Sequence, residues 1–204
     1  MSNYDNDLEP DSLLKYLKAL TILDIIMIPK KDDWLRVFTK YEDGTAFSID
    51  NGSGDILDIV FCENGVFIKG FDHENELNQF SADQWNDEFF KRTYKDIPAN
   101  FLEIYDEESL EYMTFCMWYS YEEKVWKQNI TEGNDGGKGF LLGYIFENAE
   151  SWKKWADTYY ADKMNIELVN KVYCNEQITA DDILSVNKER DAAEALEEIC
   201  VVYG

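Results

Sequence analysis

The chain has 204 residues, 45% of them hydrophobic and 15% aromatic, ample material for a single packed domain over residues 1–204. Its 42 Asp and Glu stand against 19 Lys and Arg, a formal net charge of −23. A surface that acidic repels nucleic acid and anionic membrane and attracts basic partners over distances set by salt screening.

The first helix is expected over Asp11 to Leu20. Leu13, Leu14, Leu17 and Leu20 recur at helical spacing after Pro10. Leu23 to Ile28 is rich in β-branched residues and reads as a strand ending at Pro29. A meander follows: Trp34 to Tyr41, a turn at Glu42-Asp43-Gly44, Thr45 to Ile49, a turn at Asn51-Gly52-Ser53-Gly54, Ile56 to Cys62, a turn at Glu63-Asn64-Gly65, and Val66 to Phe71. Asn-Gly and Asp-Gly supply the backbone freedom that tight hairpins need.

Ser81-Ala82-Asp83-Gln84 has the form of a capping box and is expected to open a helix carrying Trp85, Phe89 and Phe90. Tyr112 to Tyr119 reads as a strand apolar on both faces, with Val125-Trp126 returning beside it. Phe140 to Phe146 reads as another buried strand in the same sheet. Helices are then expected over Glu150–Ala161, from Thr179 to Val186, and over Glu189–Cys200. The fold class is α+β: an antiparallel meander sheet with helices covering one face and a helical C-terminal part.

The acidity is even along the chain, so it belongs to the folded surface and not to a tail. Cys62, Cys116, Cys174 and Cys200 form no CxxC pair and no metal pattern. The start, Met1-Ser2-Asn3-Tyr4-Asp5, is polar. These features are expected of a cytoplasmic protein with free thiols.

Four constellations carry potential chemistry. Asp72-His73-Glu74 holds the chain's one His between two carboxylates, which favour the imidazolium; a general acid/base or a locally hydrogen-bonded strand exit both fit. With a single His and no ligand spacing among the cysteines, neither metal nor cofactor is expected. Gly133-Asn134-Asp135-Gly136-Gly137-Lys138-Gly139 fails the phosphate-loop pattern, since position 132 is Glu and position 139 is Gly. The acidic pairs Glu107-Glu108, Glu122-Glu123, Asp181-Asp182 and Glu197-Glu198 fit a solvated surface. Trp118, Tyr119 and Tyr121, followed by Glu122 and Glu123, are either aromatic anchors rimmed by acid or core residues. No Gly-x-Ser-x-Gly nucleophile occurs, and no catalytic residue is assigned.

Three stretches resemble a family of uncharacterised bacterial proteins of similar size. They are Lys69-Gly70-Phe71-Asp72-His73-Glu74, Thr114-Phe115-Cys116-Met117-Trp118, and the segment with Trp155-Ala156, Tyr159-Tyr160, Val172-Tyr173, Ile178-Thr179 and Asn187. Asn75 stands where that family favours Ser. The resemblance implies kinship with immunity proteins of bacterial toxin systems. Joined with the charge, it leads to an expected function: an acidic protein that neutralises a basic partner such as a nuclease toxin domain. Asp72, His73, Glu74, Trp118, Tyr119, Tyr121, Glu122 and Glu123 are its candidate binding residues. The alternatives are an enzyme centred on Asp72, His73 and Glu74 that acts on a small neutral or cationic molecule, or a plain adaptor domain.

Overall fold

The computed structural model describes residues 8–41, 45–129, 133–161 and 164–204. The turn expected at residues 42–44 and the stretch 130–132 lie outside them. In chain order the elements are α1 (Pro10–Met27), a 3-10 turn (Lys30–Leu35), β1 (Phe38–Lys40), β2 (Ala46–Asp50), β3 (Ile56–Cys62) and β4 (Gly65–Phe71). Then come α2 (Asp87–Thr93), α3 (Ala99–Leu102), α4 (Glu107–Glu111), β5 (Phe115–Ser120) and β6 (Val125–Gln128). The C-terminal part is helical: α5 (Lys138–Leu142), α6 (Ala149–Tyr159), α7 (Ile166–Tyr173), α8 (Ala180–Val186) and α9 (Ala192–Tyr203). The fold class is α+β.

The chain packs as two compact units, one from the described residues of 1–10 and 45–144, the other from those of 11–44 and 145–204. In the first unit β2, β3, β4, β5 and β6 are successive antiparallel neighbours. β4 is buried along its whole length, as expected of a central strand. Phe67 of β4 and Cys116 and Trp118 of β5 pack with Ile97 and Phe101 from the helical insertion between them. The Phe67 and Phe101 rings stack at 5.7 Å.

In the second unit α1 is buried almost all round from Ala19 onward, so it is that unit's central helix rather than an amphipathic one. Its last turn has no glycine cap. Instead, side chains from outside the helix, two of them far along the chain, satisfy the carbonyls at its end. Arg190 Nε donates to Ile25 O at 3.0 Å, Asn187 Nδ2 to Met27 O at 2.9 Å, and Arg36 Nη2 to Ile28 O at 2.7 Å. Glu198 receives both guanidinium groups, from Arg190 at 2.6 Å and Arg36 at 2.8 Å.

Four sequence expectations are corrected. Leu23–Ile28 is not a strand but the end of α1, because a short run rich in Ile fits a buried helix as well as a buried strand. Trp34–Tyr41 forms a 3-10 turn and the short β1, with Trp34 77% exposed. The helix expected from Ser81 begins at Asp87, where the Asn86 side chain accepts from the Glu88 amide and caps it. Phe140–Phe146 is not a strand: α5 ends at Leu142, its Leu141 and Leu142 are buried, and Phe140 faces out at 51% exposure.

Candidate functional site

The β3–β4 hairpin builds the site. Its ladder pairs Cys62 with Gly65 next to the turn and Ile56 with Phe71 at the far end. One step further out along the same register, Asp55 comes opposite Asp72, and His73 follows. Asp55 is 4% exposed. Its Oδ1 accepts from His73 Nδ1 at 2.8 Å and from the His73 backbone N–H at 3.0 Å. Its Oδ2 accepts from Asn51 Nδ2 at 2.7 Å.

The surrounding loops hold this pair in place. Asn78 Nδ2 donates to His73 O at 2.7 Å, and the Asp72 amide donates to the Thr114 hydroxyl at 3.0 Å. That hydroxyl donates in turn to Gly136 O at 2.6 Å. Gly137, at φ +82°, lies so close that a Cβ there would meet Asp72 Oδ2 at 2.3 Å. Glycine at 137 therefore serves both the left-handed backbone and the room for the Asp72 carboxylate.

Electrostatics follow from the geometry. The hydrogen bond to Asp55 and then its charge raise His73 above the usual imidazole range. Burial pushes the Asp55 carboxyl up, but the hydrogen bonds from His73 and Asn51 outweigh it and hold the group below the usual carboxylate range. Because Asp55 engages Nδ1, Nε2 is left as the outward nitrogen, 4.0 Å from Glu74 Oε1. A carboxylate on Nδ1 fixes the tautomer and lets Nε2 give or take a proton. Asp55, Asp72 and His73 also offer three ligand atoms within 4.8 Å of one another and are the described residues that could hold a cation. Three protein donors would leave the rest of its shell to water.

The structure divides the sequence-predicted residues between two places. Asp72, His73 and Glu74 lie beyond one end of β4. Tyr121, Glu122 and Glu123 lie in the β5–β6 turn beside Asn64, at the other end of that seven-residue strand, about 20 Å away by strand rise. The Tyr121 amide donates to Asn64 O at 3.1 Å, which fixes that turn against the β3–β4 turn. Trp118 and Tyr119 are buried in β5, 5% and 7% exposed, so their rings belong to the core and not to a surface anchor. Asp55 is the residue that sequence reasoning missed. Counting outward from the Glu63-Asn64 turn would have brought position 55 opposite position 72. The glycine loop is followed by a helix and not by the expected strand, and it packs on Asp72.

Comparison with protein-family models, with curated proteins and with solved structures finds no match to this chain. Among the described residues no helix is long and apolar enough to cross a membrane.

Proposed function

We propose that this chain is an acidic binding protein of the immunity type, which neutralises a basic partner such as a nuclease toxin by laying carboxylates over its phosphate-binding surface. The observation that carries this reading is where the positive charges go. Of the three Arg in the sequence, Arg36 and Arg190 are spent on Glu198 and on the end of α1. Lys69 is 5% exposed and donates to Ser109 O and Tyr112 O. Internal pairing cancels carboxylates along with cations, so the formal excess of −23 is left to the outward-facing groups. A basic nuclease meets such a surface as it meets nucleic acid. The test is co-production with basic toxin domains. Restored growth, with a complex that co-purifies at low salt, is the expected result; rescue by no basic domain would overturn the reading.

The Asp55–His73 hydrogen bond of 2.8 Å favours a second reading, an enzyme in which His73 Nε2 is the general base and Asp55 its positioning partner. Under that reading His73→Gln abolishes activity on a small molecule. Under the binding reading there is no turnover to lose, and the same variant acts only on the affinity for the toxin.

A further inference from the structure

The aromatic side chains near α2 and α4 form a continuous surface chain in the first unit. Phe80 stacks on Tyr112 at 4.5 Å and meets Trp85 edge-on at 5.4 Å. Trp85 stacks on Phe90 at 5.2 Å, and Phe71 supports Phe80 and Tyr112 from beneath at 6.1 and 5.5 Å. Phe80, Trp85 and Tyr112 are 47%, 43% and 41% exposed. Contiguous rings left in water at this level mark an interaction surface more often than scattered apolar residues do.

The patch is firmly supported. Lys69 Nζ holds Tyr112 O at 3.1 Å from below, and Trp85 Nε1 donates to Asp87 Oδ1 at 3.0 Å. Asn78 caps the short turn that carries Phe80 by accepting from the Phe80 amide. Rings fixed in this way lose little freedom when something docks on them.

The charge around the rings identifies the occupant. Residues 74–90 and 103–112, which carry the exposed rings, contain Glu74, Glu76, Asp83, Asp87, Glu88, Glu103, Asp106, Glu107, Glu108 and Glu111 and no Lys or Arg. Every one of those carboxylates is exposed. The next cations in sequence are Lys91, paired with Glu88 at 2.6 Å, and the exposed Arg92 at the far end of α2. An acidic rim around apolar rings repels a second copy of this chain, which brings the same rim, and any acidic partner. It attracts a guanidinium, which can lie on an aromatic face while its N–H groups reach carboxylates.

We propose that the Phe80–Trp85–Tyr112 patch docks an Arg-bearing segment of a basic protein. This rests on the binding reading above and gives it a location. The rings would hold the segment against dissociation, and the rim would speed its arrival.

The experiment is fluorescence anisotropy with a labelled Arg-rich peptide and a Glu-rich peptide of equal length as probes. Wild type should bind the first and not the second. Replacing both Trp85→Ala and Tyr112→Ala should weaken binding roughly tenfold or more, mainly through faster dissociation. Glu108→Lys with Glu111→Lys, which keeps every ring, should weaken it through slower association. Glu122→Lys with Glu123→Lys, at the β5–β6 turn that is the rival binding location, should weaken it by less than about twofold if the rings are the docking site. Circular dichroism checks that each variant folds, and the charge-reversed pair keeps the test valid should the ring variant not fold. Loss at the β5–β6 turn with none at the rings would overturn the patch and leave the binding reading standing. No binding of the Arg-rich peptide to wild type would overturn both. Self-association that disappears with the ring variant would show that a second copy covers the patch, and would overturn the proposal.

Discussion

His73 is the clearest reporter in the molecule, because the sequence holds no other His to overlap its signal. Its Nδ1 contact with Asp55 raises its titration midpoint. Proton NMR should therefore place that midpoint above about 6.5, the usual imidazole value, and Asp55→Asn should bring it down. A midpoint unchanged by Asp55→Asn would contradict the geometry. A His whose folded value is raised contributes stability that is present below about 6.5 and is lost as pH rises through the folded value. Asp24 is a second residue-scale case. It is fully buried in α1, accepts from the Phe38 amide at 2.8 Å and from the Tyr160 hydroxyl, and burial lifts its carboxyl to about 6. The folded state thus holds this proton more tightly than the unfolded chain does. Its contribution is greatest below the unfolded value of 3.8 and declines as pH rises through about 6. The full shift corresponds to about 3 kcal/mol. Urea unfolding of Asp24→Asn should accordingly lack the decline that wild type shows between about pH 4 and 6, once the other carboxylates common to both proteins are subtracted. Parallel pH profiles for the two proteins would refute this.

At the scale of elements, α1 depends on groups that are distant in sequence. Arg190→Ala would leave Ile25 O without its donor and Glu194 and Glu198 without the Arg190 guanidinium. A loss of about 1–3 kcal/mol in urea unfolding is expected, the cost of leaving the Ile25 carbonyl without its donor, since Glu198 keeps Arg36 and Glu194 is partly exposed. A loss under about 1 kcal/mol, the range of exposed pairs, would show that the network is not structural. β5 gives a chemical test. Cys116 is buried there and its thiol is pushed up to about 12, whereas Cys174 and Cys200 are exposed. A thiol reagent should label Cys174 and Cys200 in the native protein and Cys116 only after unfolding. These elements also show what a sequence can tell. Ile56–Cys62 is legible to the residue, because turn-forming residues bound it on both sides. α8 is legible because Thr179 and Asp182 make a reciprocal capping box. α1 beyond Leu20 is not, because its last carbonyls are capped from positions 187 and 190, which no local window contains. The candidate site is half legible: Asp72, His73 and Glu74 are adjacent in sequence, while Asp55 reaches them only through strand register.

For the whole molecule, charge is the property that the composition states and the structure qualifies. Arg36, Arg190 and Lys69 are balanced inside the fold by Glu198, Glu194 and Asp58, so the compositional excess stays with the outward-facing groups. Arg92 is then the exposed Arg among the described residues. The central claim is that this outward charge exists to capture a basic protein. The most direct measurement is the association rate with whichever basic domain the co-production test returns, followed across ionic strength. The Debye length falls from about 30 Å at 0.01 M salt to about 10 Å at 0.1 M. The on-rate should drop steeply over that range while the off-rate changes little. An on-rate independent of salt, or neutralisation of a partner that is itself acidic, would contradict the claim.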